Sequence, residues 1–289
     1  MARIQFLTDS AADIPADLRA SLDIRVLPFP IAMEDREYLD QVDFTPDEFY
    51  SMLTAASQIP THAQLTQFQF EACYKDAYDA GYTDLIYVSI NDKASATYHN
   101  ALQAYAEFQE EYPDSRDKLR VHVVNSKNYT MSYGWAVVQA AQRAAQGASV
   151  PELLDYIQDW VDHVRVLFVP LELRFAKKSG RISAAAAFVG DALGLKPMMT
   201  FEDGNSKVLS KIRGEKNVVP TLLDFCKKER QPGTPYLVIR SANREQADRL
   251  TQTCRLELGE EPSLVYPVGG VIAINAGPNL VGLIYRKKD

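Results

Sequence analysis

Short apolar runs that alternate with helical segments constrain the fold of this chain more than any other feature. The runs at 4–7, 85–90 and 121–124 have the length and composition of buried strands. Each is followed by a segment that favours a helix. Strands and helices in alternation are typical of a parallel sheet with helices on its faces. The sequence therefore predicts an α/β fold.

Capping residues and glycines mark the ends of several predicted helices. Thr45 is an N-cap candidate, followed by a proline and by Glu48 at capping-box spacing, which predicts a helix that runs to Leu53. A helix over 67–80 is predicted to end at Gly81. The remaining pattern predicts a proline-broken strand at 25–31, helices at 95–111, 151–160 and 244–258, and strands at 164–169, 236–239, 263–266, 271–275 and 280–285.

Length and composition favour two domains. A chain of 289 residues with 46% hydrophobic residues is long enough to bury more than one core. The residue pattern changes after the strand at 164–169, where a turn at Gly180 and an Asp203-Gly204 pair typical of a hairpin follow. We therefore predict an N-terminal parallel-sheet α/β domain over residues 1–165 and a smaller C-terminal α/β domain over residues 166–289.

Charge and cysteine content argue against several classes of protein. The net charge of −7 argues against bulk binding to nucleic acid or to an anionic membrane surface. No apolar run approaches the roughly 20 residues of a membrane span. Three scattered cysteines, Cys73, Cys226 and Cys254, indicate reduced thiols. The sequence predicts a cytoplasmic protein without membrane insertion.

Small polar residues follow three of the predicted strands. Thr8-Asp9-Ser10, Asn91-Asp92 and Asn125-Ser126 stand where the strands end. Ligands of open α/β sheets bind beyond the carboxyl ends of the strands. Each of these groups alone is better explained as a helix N-cap, but together they indicate a ligand site.

Motifs for common chemistries are missing from the sequence. His62, His99, His122 and His163 lack metal-ligand spacing, and no paired CxxC is present. His122 lies in an apolar strand pattern and is predicted to be structural. GxGxxG, GxxxxGK[ST] and GxSxG are also missing. The sequence therefore identifies no metal site, no cofactor and no catalytic residue.

Four segments carry groups that suit a binding site. Arg181 follows a glycine turn and Arg213 lies in a second basic cluster, and both suit an anionic group or an acidic partner, although solvated loops look the same. The proline-stiffened loop at 59–64 places Thr61 and His62 side by side. Asn275 opens a Gly-Pro turn and either points an amide into a pocket or lies on a plain surface turn.

These pieces, in their order, resemble the DegV family of bacterial fatty-acid-binding proteins. The resemblance covers nearly the whole chain and is specific as an ordered series of short motifs. The motifs are Thr8-Asp9-Ser10 with Asp13-Ile14-Pro15, Pro60-Thr61, Ser95-Ala96-Thr97-Tyr98, Asn125-Ser126 with Gly134, Ser179-Gly180-Arg181-Ile182, Gly194-Leu195-Lys196-Pro197 with Asp203-Gly204, Arg213-Gly214, and Gly277-Pro278.

The resemblance implies a two-domain α/β protein that encloses one long-chain fatty acid between its domains. Several members of the family act as the acyl-binding subunit of a bacterial fatty-acid kinase and present the carboxylate for phosphorylation by a catalytic partner. By position, Thr61 matches the carboxylate-binding threonine of the family. Arg181 and Arg213 match two basic positions, at least one of which is associated with the kinase partner.

The chain departs from the family pattern around the expected head-group site. It has Asn91-Asp92 in place of a serine pair, Ala96 in place of a glycine, Asn125 in place of an aspartate, His62 in place of a serine and Asn275 in place of a histidine. The residues expected to line the head-group site are Thr61, His62, Asn91, Asp92, Ser95 and Asn275.

An ionised Asp92 beside a fatty carboxylate is unfavourable unless a proton or a cation intervenes. His62 is one candidate for that cation. Alternatively, Asp92 caps the following helix and faces away from the ligand.

Three functions remain open from the sequence. The first is a lipid carrier that does no chemistry itself. The second is an enzyme in which Asp9, Ser10 and Asp92 carry out acyl or phosphoryl transfer, although no general base is identifiable beyond His62. The third is a sensor whose domains close around a ligand.

Overall fold

A parallel sheet forms the centre of the N-terminal half, as the alternating pattern predicts. The structure of the protein, a computed structural model, describes residues 2–189 and 194–288. The elements up to residue 163 are β1 (Ile4–Asp9), α1 (Ala16–Ser21), β2 (Ile24–Leu27), β3 (Pro30–Met33), β4 (Arg36–Leu39), α2 (Pro46–Ala55), β5 (Thr61–His62), α3 (Gln67–Asp79), β6 (Asp84–Ser89), α4 (Thr97–Glu111), β7 (Arg120–Asn125), α5 (Met131–Ala145) and α6 (Val150–His163). Strands β2, β1, β6 and β7 lie side by side in this order, all parallel.

A second, smaller sheet explains the prolines in the predicted strand at 25–31. The chain forms two strands there, β2 in the parallel sheet and β3 in an antiparallel sheet with β4 and β5. Proline lacks the N–H that a central ladder requires, so the segment between them changes direction and joins a different sheet. The small sheet brings β5, with His62, beside β3.

The C-terminal half is built on a mixed sheet. Its elements are β8 (Val164–Pro170), α7 (Leu173–Ser179), α8 (Ser183–Ala186), β9 (Leu195–Glu202), β10 (Asn205–Arg213), α9 (Val218–Glu229), β11 (Tyr236–Arg240), α10 (Arg244–Leu258), β12 (Leu264–Pro267), α11 (Gly270–Ala276) and β13 (Leu280–Arg286). The strand order is β10-β9-β8-β13-β11-β12, and only the β11–β12 pair is parallel.

Capping chemistry confirms several helix predictions. The Thr45 hydroxyl and the Glu48 carboxylate form the predicted capping box at the start of α2. Helix α3 ends next to Gly81, which adopts a positive φ of 76° that suits glycine.

Helix α5 approaches the turn after β1 so closely that a Cβ on Gly134 would lie 2.2 Å from the carbonyl oxygen of Ala12. Only glycine fits at this position.

Helix α11 corrects a prediction, because the sequence pattern at 271–275 favours a strand. The branched residues of this segment suit a strand by propensity, but tertiary contacts override propensity. Two buried carboxylates accept hydrogen bonds from the amides of Gly269 and Gly270 at the first turn. Those amides have no partner inside a helix, so the carboxylates stabilise the helical start.

One apolar core runs from the first sheet into the second. It includes Leu7 and Ile86 of the parallel sheet together with Val166 and Ile284 of the mixed sheet. A separate core packs α9 and α10 against the other face of the mixed sheet. The shared core means that the two halves are joined by buried apolar contact as well as by polar contact.

Candidate functional site

An apolar cavity lies between the two halves of the molecule. Its empty volume is about 660 Å³, which includes space open to solvent. The lining is predominantly apolar, and its few polar side chains come from both halves. The cavity is lined by Phe29, His62, Ile90, Ala94, Ser95, Tyr129, Thr130, Val166, Phe168, Arg181, Ile182, Phe201, Ile239, Val268, Val271, Ile272, Asn275, Ala276 and Leu280.

His62 and Asn275 meet across the interface at the cavity wall. The Asn275 Nδ2 lies 3.0 Å from His62 Nε2 and 2.7 Å from the carbonyl oxygen of Val271. A backbone carbonyl only accepts, so this contact assigns the amide orientation of Asn275. The second hydrogen of Nδ2 is then donated to His62 Nε2. The histidine proton must therefore sit on Nδ1.

Both residues keep one buried polar atom without a partner. His62 Nδ1 and Asn275 Oδ1 are inaccessible to solvent and form no hydrogen bond. Buried polar atoms of folded proteins are almost always paired, so the unpaired atoms set His62 and Asn275 apart from the other side chains of the lining. Burial, assisted by the charge of Arg181, lowers the pKa of His62 to about 4. The imidazole is therefore neutral near pH 7 and is not the cation considered from the sequence.

Ser95 lines the cavity as expected, and its hydroxyl lies 2.8 Å from that of Thr97. Thr130, which the sequence analysis did not select, also lines the cavity. The Thr130 hydroxyl donates to Asp13 at 2.6 Å. The structure thus brings together three of the six predicted head-group residues, namely His62, Ser95 and Asn275.

Thr61 is placed differently from the expectation. It is exposed and does not line the cavity, whereas the next residue, His62, does. The reason is the alternation of side chains along β5, which sends neighbouring residues to opposite faces. The position that faces the cavity is therefore occupied by His62.

Asn91 holds two segments together and does not line the cavity. Its Nδ2 donates to the Tyr129 hydroxyl and to the carbonyl oxygen of Gly204, both at 2.7 Å. Gly204 has a φ of 75°, and a Cβ there would lie 2.6 Å from the Asn91 side-chain oxygen. Asn91 thus links the β9–β10 hairpin to the N-terminal half. Both hydrogens of its side-chain amide are donated within the protein.

Asp92 also lies outside the cavity lining, and it does not cap the next helix. It is half-buried, and its backbone N–H points to Asn125 Oδ1 at 3.4 Å. The N-cap of α4 is Ala96, which provides no side-chain hydrogen bond. The Ser95 hydroxyl accepts from the N–H of Thr97 in this turn.

Three fully buried aspartates, Asp9, Asp13 and Asp40, lie close to the cavity lining, and each accepts several hydrogen bonds. Asp9 accepts from Tyr133 at 2.6 Å, from Tyr87 at 3.1 Å and from the amide of Ile90 at 3.0 Å. The pKa of Asp9 is raised to about 6 by burial, against the opposing effect of these hydrogen bonds. Neither Asp9 nor Ser10 lines the cavity, so an enzyme built on them lacks access to a ligand there.

Asp13 and Asp40 bind the first turn of α11. Asp13 accepts from the amide of Gly269 at 2.8 Å, and Asp40 accepts from the amide of Gly270 at 3.0 Å. Ser10 donates to Asp40 at 2.7 Å. Burial raises the pKa of Asp40 to about 6 and raises the pKa of Asp13 well above its ordinary value. The sequence analysis did not find this role, because the partners lie about 230 residues or more away.

The two predicted partner-binding arginines are both exposed. Arg181 also lines the cavity, so it lies at the mouth, where its guanidinium donates to the carbonyl oxygen of Ser179 at 3.1 Å. Arg213 is the last residue of β10 and does not line the cavity. His122, in contrast, is structural as predicted, since its Nε2 lies 2.9 Å from Asp84.

Comparison with known families and structures decides the classification. The model of the DegV family, described as a family of uncharacterised proteins, matches residues 3–288. The chain belongs to the DegV family. A DegV domain-containing protein of Caldanaerobacter subterraneus is 30% identical over 294 residues, which cover all of both chains. Another from Clostridium perfringens is 25% identical over 288 residues, 99% of each chain.

Solved DegV structures share the fold of this chain. A fatty-acid-binding DegV family protein from Thermus thermophilus is similar with a TM-score of 0.87 and 27% identity, covering 99% of this chain and 100% of that one. DegV from Bacillus subtilis, also a fatty-acid-binding protein, has a TM-score of 0.84 and 22% identity over all of both chains, and this likeness supports the fold. Within residues 2–189 and 194–288, no helix has the length and apolar character to cross a bilayer.

Proposed function

We propose that this DegV protein is a non-catalytic, cytoplasmic carrier of a long-chain fatty acid or a related amphiphile. The ligand lies in the cavity between an N-terminal domain of residues 1–165 and a C-terminal domain of residues 166–289. The observation that carries the proposal is an apolar cavity with two unpaired buried polar atoms at its wall, on His62 and Asn275. The fatty-acid-binding relative from Thermus thermophilus supports it.

Hydrophobic burial supplies most of the affinity in this proposal. Each buried methylene contributes about 0.8 kcal/mol, so a chain of about 16 carbons gives on the order of 11 kcal/mol before the cost of ordering the ligand. The polar end of the cavity then sets the orientation of the ligand. The buried, unpaired thiols of Cys73, Cys226 and Cys254 suit a reducing compartment.

The test is identification of the ligand in freshly purified protein by native mass spectrometry, followed by lipid extraction. We expect one bound fatty acid or amphiphile, or uptake of added palmitate or oleate by an empty protein. Ala94→Phe fills the cavity and is expected to lower lipid occupancy at least tenfold, whereas Ala63→Phe on an exposed position leaves it unchanged. An empty protein that also ignores both added acids defeats the proposal.

The second part of the proposal is presentation of the head group to a fatty-acid kinase catalytic protein. Arg181 at the mouth and Arg213 on the surface are the residues proposed to bind that partner. We expect Arg181→Ala and Arg213→Ala to leave lipid binding largely intact and to weaken ATP-dependent phosphorylation of the bound acid by the partner. A loss of lipid binding as large as that of His62→Ala would contradict the assignment.

A further inference from the structure

We propose that a polar pocket beside the cavity mouth binds a phosphate-type oxyanion, with the Tyr129 hydroxyl, Lys93 and Arg181 as donors. The oxyanion is either the head group of an amphiphile whose tail lies in the cavity or a free phosphate ion. The first source rests on the proposed function, whereas the second requires only the pocket itself.

The polar pocket adjoins the apolar cavity and shares part of its wall. Ala94, Tyr129 and Arg181 line both spaces. The remaining wall comes from the loop before α4, the end of α7, the start of α8 and the β9–β10 hairpin. Its other polar side chains are those of Lys93, Ser179, Ser183, Asn205 and Ser206. Among the described residues that line this pocket, two are cationic and none is acidic, so it suits an anion.

The hydroxyl of Tyr129 lies at the polar-pocket end of its ring. The ring packs against Phe201 of the cavity lining, with the two centroids 4.2 Å apart. The hydroxyl, in contrast, lies 2.7 Å from Asn91 Nδ2, which also donates to the carbonyl oxygen of Gly204 in the polar pocket. The side chain is 9% exposed, so the hydroxyl reaches the pocket from a largely buried position.

Asn91 leaves the hydrogen of this hydroxyl free to be donated. Asn91 Oδ1 accepts from the N–H of Lys93 at 3.1 Å, so Nδ2 is the donor to the Tyr129 oxygen. Within residues 2–189 and 194–288, the hydroxyl hydrogen has no acceptor of its own. Burial raises the pKa of Tyr129 to about 12, so the hydroxyl keeps this hydrogen near pH 7. A ligand oxygen in the pocket would accept it.

Lys93 and Arg181 bring positive charge to the pocket from the two halves of the molecule. Lys93 Nζ donates to the carbonyl oxygen of Asp203 at 2.6 Å, and the Arg181 guanidinium donates to that of Ser179 at 3.1 Å. Neither cation forms an ion pair with the described part of the chain. An ammonium has three hydrogens and a guanidinium has five, so both keep donors for a ligand. An anion bound between them offsets the repulsion of the two like charges.

A pair of serines adds one more donor. The hydroxyl oxygens of Ser183 and Ser206 lie 3.2 Å apart and share one hydrogen bond. Whichever of them donates in this bond, the hydrogen of the other stays available. Ser179, in contrast, already donates to the carbonyl oxygen of Ala176. The free donors exceed what the two oxygens of a carboxylate use and suit the three terminal oxygens of a phosphate.

Two acidic residues near the pocket oppose an anion, but neither lines it. Asp203 is exposed, so solvent screens its charge. Asp92 is half-buried and is close enough to influence Tyr129. Burial is the main cause of the raised pKa of Tyr129, and of the two nearby charges Arg181 lowers this pKa more than Asp92 raises it. The cation therefore has the larger influence at the hydroxyl.

The test compares hexadecyl phosphate, palmitate and inorganic phosphate by isothermal titration calorimetry of delipidated protein at pH 8 and constant ionic strength. At this pH the phosphate monoester carries close to two negative charges. We expect hexadecyl phosphate to bind about tenfold more tightly than palmitate, because its head group pairs with more of these donors. Inorganic phosphate is titrated into protein loaded with palmitate, and binding there assigns the pocket to a free ion.

Two variants remove donors of the pocket. Lys93→Gln removes a cation that does not line the apolar cavity, and it is expected to raise the Kd of hexadecyl phosphate about tenfold while palmitate stays within about twofold. Tyr129→Phe keeps the ring and is expected to lower the preference for hexadecyl phosphate over palmitate about tenfold. Lys207→Gln alters an exposed lysine outside the pocket and is the control for overall charge, with both ligands unchanged.

The outcomes separate the pocket from the carrier function. Weaker hexadecyl phosphate binding in both variants supports the head-group source, and loss of inorganic phosphate binding in both supports the free ion. Tight binding of hexadecyl phosphate that neither variant changes overturns the assignment of these residues. Equal affinities for hexadecyl phosphate and palmitate, without binding of inorganic phosphate, overturn the site and leave the carrier standing. Inorganic phosphate that binds where both lipids fail overturns the carrier and leaves the site standing.

Discussion

Two groups of buried polar residues flank α11, and they differ in one respect. At the first turn, Asp13 and Asp40 accept hydrogen bonds from backbone amides and from side-chain donors. Near the last turn, His62 and Asn275 each keep an unpaired atom. A fully paired buried network stabilises and specifies the fold, whereas an unpaired buried atom gains a partner only when water or a ligand reaches it. From this contrast we propose a structural role for the first group and a binding role for the second.

The largest effect is expected from the removal of Asp13, which tests the structural role of the first group. Asp13→Ala leaves the amide of Gly269 and the hydroxyl of Thr130 without their partner, whereas the Gln41 side-chain amide keeps the carbonyl oxygen of Ser10. We expect the free energy of unfolding to fall by about 3 kcal/mol, since each buried unpaired group costs about 1 kcal/mol or more. Urea unfolding measures this loss. Asp155→Ala, on the exposed face of α6, serves as the control and is expected to lie within about 0.5 kcal/mol of the parent.

The free energy of unfolding is expected to change with pH in opposite directions for the buried aspartates and for His62. The folded-state pKa values of Asp9 and Asp40 are raised to about 6, so protonation favours the folded protein and their contribution grows as pH falls from 7.5 towards 5. The pKa of His62 is lowered to about 4, so the unfolded chain takes up that proton first and stability is lost below pH 6.5. The aspartates and the histidine therefore act in opposite directions over the same pH range.

His62→Phe is expected to remove the opposing effect. At pH 5 the variant should gain about 2 kcal/mol relative to its own value at pH 7.5, beyond the change in the parent protein. Urea unfolding at a series of pH values gives both curves. His99→Gln, at an exposed histidine, is the control with an unchanged profile. Parallel curves for His62→Phe and the parent would show that His62 is not held neutral by the fold.

A smaller effect is expected where Asn91 joins the N-terminal half to the β9–β10 hairpin. Asn91→Ala leaves the carbonyl oxygen of Gly204 and the hydroxyl of Tyr129 without their shared donor. We expect a loss of about 1–2 kcal/mol in unfolding free energy. Amide hydrogen exchange is expected to quicken in the hairpin and to stay unchanged in β1. Faster exchange in both regions would indicate that Asn91 supports the whole fold.

The sequence predicted local structure well where chemistry acts between near neighbours. The capping box of Thr45 and Glu48, the apolar strands β1, β6 and β7, and the helix end at Gly81 all follow from residues a few positions apart. The resemblance to DegV proteins further identified the family, which the family match confirms.

Contacts between distant segments determine the features of the fold and of the site that the sequence did not predict. Helix α11 is a helix because carboxylates more than 200 residues earlier bind its amides. From the sequence, Thr61 and His62 are equally good site candidates. The pairing of β5 with β3 places their side chains on opposite faces of the small sheet, so only one of them faces the cavity. Asn91 looked like a ligand residue because its partner, Gly204, lies 113 positions away. The roles of these residues are set by the tertiary fold.

The hydrogen bonds of Asp13 and Asp40 to the first turn of α11 have a consequence for the kinetics of ligand exchange. Opening the cleft by separating the halves would break the bonds of Asp13 and Asp40 to that turn, together with the ion pair of Asp47 with Arg240. It would also expose the core that both sheets share. The mouth beside Arg181, in contrast, lies at the surface. If a ligand occupies the cavity, we therefore expect it to enter and leave through this mouth, and we expect its residence time to depend on the side chains there.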